Sequence, residues 1–260
     1  MSRCLIVAAV ACVAAVLSTG AGLGASGQTT PTLPPELTKA IAYYSTLTSY
    51  SDTGVIVQEA PGLVDTAKSI TYFRRPARDL YLELHAGTSV NPDTKFSIDM
   101  SASRHVIWMF KGAMETYDFR SGSHELVNAD GGGQVRALQN RSHATRGISM
   151  LIPALLYSQS RLPGTISQIE QATLAGVEEV DRRRCHKVVG VAAEYYPSGQ
   201  RTNIRPVTVW IDAETQLIRK VFEDTPKGYP ARSYQRKTIT LQPQANPAIE
   251  DAMFQFKVPE

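Results

Sequence analysis

Five histidines, a cysteine beside one of them and a short run of carboxylates are the residues whose types could do chemistry, so their spacing decides the matter. His85, His105, His124, His143 and His186 stand singly, and none has a second ligand at metal spacing. Cys185 beside His186 joins a nucleophile to a base, but neighbours on a strand point to opposite faces and cannot share a proton. Cys185 therefore reads as a buried structural thiol. Glu178, Glu179 and Asp181 carry ligand oxygens for a cation, yet the same alternation splits them and they read as a solvated turn. Arg120-Ser121-Gly122-Ser123-His124 lacks the spacing of a nucleophile elbow. Gly131-Gly132-Gly133 is not followed by the lysine-serine or lysine-threonine pair of a phosphate cradle and reads as a loop. The sequence offers no catalytic constellation, no metal site and no cofactor cradle; a non-enzyme is expected.

The elements that would position side chains begin after a targeting segment. Arg3 is its charged start, Leu5 to Leu17 its apolar stretch, and small residues run from Gly20 to Gly27. A signal peptide over 1–27 and one domain over 28–260 are expected, with cleavage near Ala25 to Gln28. The apolar run is too short and alanine-rich for a convincing membrane anchor. Cys12 follows Ala9-Val10-Ala11 as a lipidated cysteine would, but the apolar core continues to Leu17. Cys4 also lies in this segment, which leaves Cys185 as the only mature cysteine and excludes an internal disulfide. The chain carries 27 Lys and Arg against 24 Asp and Glu, and its one basic tract is Arg182-Arg183-Arg184, so nucleic acid is not an expected partner.

Leu37, Ala40, Ile41, Tyr44 and Leu47 recur at three- and four-residue steps and predict one amphipathic helix from Glu36 to Leu47. Ser49 to Gly54 reads as a turn. Strands are then predicted over 55–59, 69–74, 78–85, 94–100, 105–111 and 115–120. Leu80, Leu82 and Leu84 share one face, and Phe96, Ile98 and Met100 share one face of theirs. Such a sheet needs an apolar cover. Ile148, Leu151, Ile152, Leu155 and Leu156, interrupted by Pro153, predict one kinked or two short helices over 144–158 for that role. Strands return over 172–180, 185–195, 206–211, 217–223 and 233–241, joined by short turns as in an antiparallel sheet. The fold class read from this order is α+β, mainly β.

Three local patterns carry a family resemblance. One is Tyr72-Phe73-Arg74-Arg75-Pro76 leading into the alternating Leu80-Tyr81-Leu82-Glu83-Leu84. Another is Val209-Trp210-Ile211-Asp212 followed by Gln216-Leu217-Ile218-Arg219-Lys220. The third is the closing run from Asn246-Pro247 to Phe254-Gln255-Phe256-Lys257-Val258-Pro259. In this order, over Leu33 to Glu260, they resemble the periplasmic lipoprotein carrier family and its relatives. The resemblance implies a single curved, unclosed antiparallel sheet, a half-barrel, whose concave face is covered by helices and holds acyl chains. In that family an arginine just before the proline hydrogen-bonds to the lid helices and helps close the empty cavity; Arg75 stands in that place. Arg74 departs from the pattern by doubling the charge. The residues expected to line the cavity are Leu80, Leu82, Leu84, Phe96, Ile98, Met100, Ile107 and Met109 on the sheet, with Ile148, Leu151, Ile152 and Leu155 on the lid. The expected function is an exported, periplasmic carrier of lipid or lipoprotein acyl chains, monomeric, without a cofactor, working between membrane donor and acceptor proteins. The alternative is a periplasmic sensor or regulatory subunit on the same fold that binds a membrane protein partner.

Overall fold

A computed structural model describes residues 33–128, 133–142, 144–157, 165–195, 201–224 and 236–257. The expected signal segment 1–27, His143, Gly131, Gly132 and Ser158 lie outside them. The chain enters α1 (Pro35–Thr46) with proline in its first turn, where no helical N–H is lost, and Glu36 near the positive helix end. Leu37, Ala40 and Tyr44 form its buried stripe. Three long strands follow, β1 (Ser49–Ala60), β2 (Leu63–Arg74) and β3 (Asp79–Val90). Shorter ones come next: β4 (Ser97–Asp99), β5 (Arg104–Phe110), β6 (Ala113–Asp118) and β7 (Ser123–Asn128). The helical insertion comprises α2 (Gln134–Asn140), a 3₁₀ turn (Ile148–Met150) and α3 (Ile152–Leu156), broken before Pro153 as the sequence requires. The second run of strands is β8 (Glu170–Val180), β9 (Arg183–Tyr195), β10 (Arg201–Asp212), β11 (Ile218–Asp224), β12 (Arg236–Leu241) and β13 (Gln244–Ala245). A 3₁₀ turn over Asp251–Phe254 closes the chain.

All the strands belong to one antiparallel sheet in the order β7-β6-β5-β3-β2-β1-β12-β11-β10-β9-β8, with β4 on β3 and β13 on β1. Its two edges, β7 and β8, do not pair, so the sheet is not closed into a barrel. Register sets which side chains stand in line. Tyr50, Phe73, Leu80, Met109 and Met114 form one row across β1, β2, β3, β5 and β6, and Asp52, Thr71, Leu82, Ile107 and Thr116 form the next. These rows lie on the inner face. There a single buried cluster joins Leu37 and Tyr44 of α1 and Leu151, Ile152 and Leu155 of the insertion to Met114 of β6 and Val188 of β9. One cluster reaching strands so far apart in the order requires the sheet to bend around it. Both lid segments pack on this one face, as two apolar stripes beside one greasy surface must.

The structure corrects the sequence reading in three places. Phe96 is 64 % exposed and Ile98 47 % exposed, and Met100 is only half-buried; none belongs to the inner cluster. The alternation is present, but β4 pairs only with Thr88, Ser89 and Val90 at the far end of β3, beyond the residues packed under the lid. Asn91 accepts from the backbone N–H groups of Asp93 and Thr94, both at 3.0 Å, so a turn over 91–94 takes the first residue of the strand expected over 94–100, which is shortened to Ser97–Asp99. Ser49 to Gly54, expected as a turn, is the start of β1, and its alternation places Tyr50, Asp52 and Gly54 inside. Finally, the closing Phe254 is fully buried on the outer face with Tyr81, Val106 and Trp108, a second small core that the sequence reading did not contain. Cys185 is a fully buried free thiol packed against Val180 and Trp210, as expected, and burial pushes its pKa up to about 11.

Phe254→Ala should cost about 3–5 kcal/mol in urea unfolding, as for other buried phenylalanines, while Phe96→Ala should change stability by less than about 0.5 kcal/mol. Equal effects would contradict this division of the apolar residues. Native Cys185 should react with a thiol reagent far more slowly than the unfolded chain.

Candidate functional site

The arginine pair at the end of β2 divides between the two faces, because consecutive strand residues point opposite ways. Arg75 turns inward. Its Nη1 donates to the carbonyl of Leu47 at 2.7 Å, and its Nη2 donates to the carbonyl of Leu156. Leu47 is the residue on which α1 ends and Leu156 is the last of α3. The last carbonyls of a helix have no intrahelical donor, and a cation is favoured at that end. A single guanidinium thus ties the C-terminal ends of both lid helices to the sheet. Its Cζ lies over the Phe73 ring, 5.0 Å from the ring centre, and Phe73 meets Tyr157 edge-on at 5.3 Å. The Tyr157 hydroxyl donates to the carbonyl of Arg78 at 2.6 Å, a second tie between lid and sheet.

Arg74 turns outward. It pairs with the buried Asp79 at 2.8 Å and with Asp251, and it lies over the Phe254 ring at 4.9 Å. The closing segment is also held at the junction of α1 and β1, where the Asn246 side chain accepts from the backbone N–H and hydroxyl of Thr48, each at 2.9 Å. Beneath this segment is a groove of about 860 Å³ walled by Tyr72, Tyr81, Trp108 and Phe119. A second outer groove of about 760 Å³ runs past Val55, Lys68, Ile70 and His85.

Of the residues expected to line a cavity, the structure brings together Leu80, Leu82, Leu84, Ile107 and Met109 of the sheet with Ile148, Leu151, Ile152 and Leu155 of the lid, all buried in one cluster. It leaves Phe96, Ile98 and Met100 outside. The inner side chains pack against one another under the lid.

Polar residues that the sequence reading did not place are set into this apolar interior. Asp52 is 4 % exposed, and Ser69, Thr71 and Tyr50 beside it are all but inaccessible. Burial pushes the Asp52 carboxyl up to about 7; the neighbouring Tyr50 and Thr71 hydroxyls oppose that shift, without forming hydrogen bonds of normal geometry. Tyr44 and Tyr50 are the titratable side chains facing it, and burial raises both well above the usual tyrosine value. At the opposite end of the inner face, Glu223 is held by Lys237 at 2.7 Å and Arg205 at 3.2 Å, which together keep its pKa low despite burial. The signal for Asp52 was its parity with Tyr50 and Ile56; its polarity hid it.

Among the described residues, no group of three or more His, Cys, Asp or Glu could hold a metal ion, and no helix is long and apolar enough to cross a membrane. No family model and no curated protein matches the chain. It is similar at low identity to many solved structures, among them the following three. One is the lipoprotein LppX of Mycobacterium tuberculosis, at 12 % identity and a TM-score of 0.44, covering 83 % of this chain and 95 % of that one. Another is LprF of Mycobacterium bovis, at 14 % identity and 0.42, covering 85 % and 97 %. The third is a LolA superfamily protein of Nitrosomonas europaea, at 10 % identity and 0.31, covering 85 % and 96 %.

Two outcomes follow from this geometry. Arg75→Leu removes two hydrogen bonds to a charged group, each worth roughly 1.5–3 kcal/mol, so amide exchange in 35–46 and 152–156 should quicken about ten- to hundredfold while that of β3 holds. Exchange equal to wild type would reduce Arg75 to a strand-end charge. Asp52, with a folded pKa near 7 against an ordinary 3.8, binds its proton more tightly in the folded state. Its contribution to stability is complete below about pH 4 and is lost as pH rises through 7, a change on the order of 4 kcal/mol. Asp52→Asn should lack this slope when chemical unfolding is compared across that range.

Proposed function

We propose that this chain is an exported, periplasmic carrier that holds acyl chains of a lipid or lipoprotein between its sheet and its lid. The observation that carries the reading is the inner cluster itself: Leu80, Leu82, Ile107, Met109, Leu151 and Leu155 meet under two helical segments whose ends share one guanidinium. A lid fastened at a few polar points, the two carbonyls on Arg75, the Tyr157 hydroxyl on the Arg78 carbonyl and the Ile218 N–H on the Tyr44 hydroxyl, with apolar side chains beneath, is built to part from the sheet without unfolding it. An acyl chain entering that space gains about 0.8 kcal/mol for each CH₂ removed from water, so a long chain needs no catalytic or charged group to be held. The work assigned to the protein is uptake and release, between a donor and an acceptor at membranes. The targeting-type segment before residue 28 supports export.

The outer groove favours a second reading, a sensor that meets a membrane protein through the half-buried aromatic walls Tyr72 and Phe119. One titration separates the two. A fluorescent fatty acid added to the purified protein should bind saturably and be displaced by unlabelled lipid, and Arg75→Leu should speed its uptake. Absence of saturable binding for any acyl probe would overturn the carrier and leave the sensor.

A further inference from the structure

The inner face is not uniformly apolar, and its polar atoms stand at defined places. The row nearest the arginine latch, Tyr50-Phe73-Leu80-Met109-Met114, is apolar except for one hydroxyl. The next row begins with Asp52 and Thr71 before Leu82 and Ile107. The one after it runs Gly54, Ser69, Leu84, His105. Both carboxyl oxygens of Asp52, the hydroxyls of Tyr50 and Ser69 and both ring nitrogens of His105 are buried with no hydrogen bond of normal geometry among the described residues, although the Tyr50 and Thr71 hydroxyls lie near Asp52. The carboxylate of Asp118 comes no nearer to His105 than 3.8 Å. Gly54 leaves room for the Ser69 hydroxyl beside β1, since a Cβ there would meet it at 2.4 Å, while His105 stands across β2 and β3 on β5. Folded proteins leave few buried polar atoms unpaired, and a group of them on three successive rows calls for a partner.

Resting on the carrier reading, we infer that the chamber is built for a hydroxylated acyl chain, whose hydroxyl is held by Asp52 and Ser69 while its hydrocarbon lies along Leu80, Leu82 and Met109. A hydroxyl donates one hydrogen bond and accepts two, which suits a carboxyl oxygen on one side and serine and tyrosine hydroxyls on the other. It brings no charge. Burial lowers the pKa of His105 as it raises that of Asp52, so both rows favour neutral groups, and an ammonium or carboxylate head would enter against that tendency. A bare hydrocarbon would leave the same atoms unpaired.

The test compares methyl stearate with its mid-chain hydroxylated counterpart as competitors of a bound fluorescent fatty acid. Wild type should release the probe at about tenfold lower concentration of the hydroxylated ester, the effect of one to two net hydrogen bonds. Asp52→Leu should abolish the difference between the esters and Ser69→Ala should narrow it, with circular dichroism confirming the fold of each. If Asp52→Leu fails to fold, Ser69→Ala carries the comparison. Equal displacement by the two esters in wild type, or a preference that persists in the folded variants, would overturn the inference and leave these atoms to water, with the carrier reading intact. Failure of wild type to bind the probe at all would overturn the carrier reading and this inference with it.

Discussion

Two arginines in succession at the end of one strand fix both layers of this molecule, because the backbone sends them to opposite sides. Arg75 closes the inner side by donating to the ends of α1 and α3. Arg74 closes the outer side by pairing with Asp79 and Asp251 and lying over Phe254. Pro76, which follows them, has no N–H to offer a ladder and belongs where β2 stops. The lid and the closing segment do not need to touch each other to be held by the same few residues.

The difference between the two faces follows from what covers them. The inner face is covered by helical segments that meet the sheet through apolar contacts and a few tethers, among them the end carbonyls of α1 and α3 held by Arg75. The part of the outer face over β3 and β5 is covered by irregular chain anchored side chain by side chain, through Phe254, through Phe256 stacked on His124 at 4.4 Å and edge-on to Trp108, and through Asn246. An inner face with buried carboxyl, hydroxyl and imidazole groups is costly for a plain core. A chamber that alternates between closed and loaded has a physical reason to carry them.

Much of the architecture was legible in the sequence because it depends on periodicity. The parity of Leu80, Leu82 and Leu84 and the spacing of Leu37, Ala40 and Tyr44 gave the right faces, and Pro153 marked the break in the lid. Alternation could not say how far the lid extends along a strand, so Phe96, Ile98 and Met100 kept the right period in a strand too far out to be covered. Nor could it say which apolar face the closing segment would choose; Phe254 had two on offer. Asp52 was passed over because a Ser-Tyr-Ser-Asp-Thr-Gly run has the composition of a turn, and a long strand overrode that local preference by burying every second residue of it. The role of Arg75 was suggested by likeness alone; its partners, Leu47 and Leu156, are backbone carbonyls and leave no mark in a sequence.

The central claim is a location: the acyl chain lies on the inner face, between sheet and lid. Nuclear Overhauser contacts from the methylene protons of a bound, isotopically filtered fatty acid read that location directly. The account predicts contacts to the methyl groups of Leu82, Met109 and Leu155. Contacts instead to the ring protons of Tyr72 and Trp108, beneath the closing segment on the outer face, would contradict it.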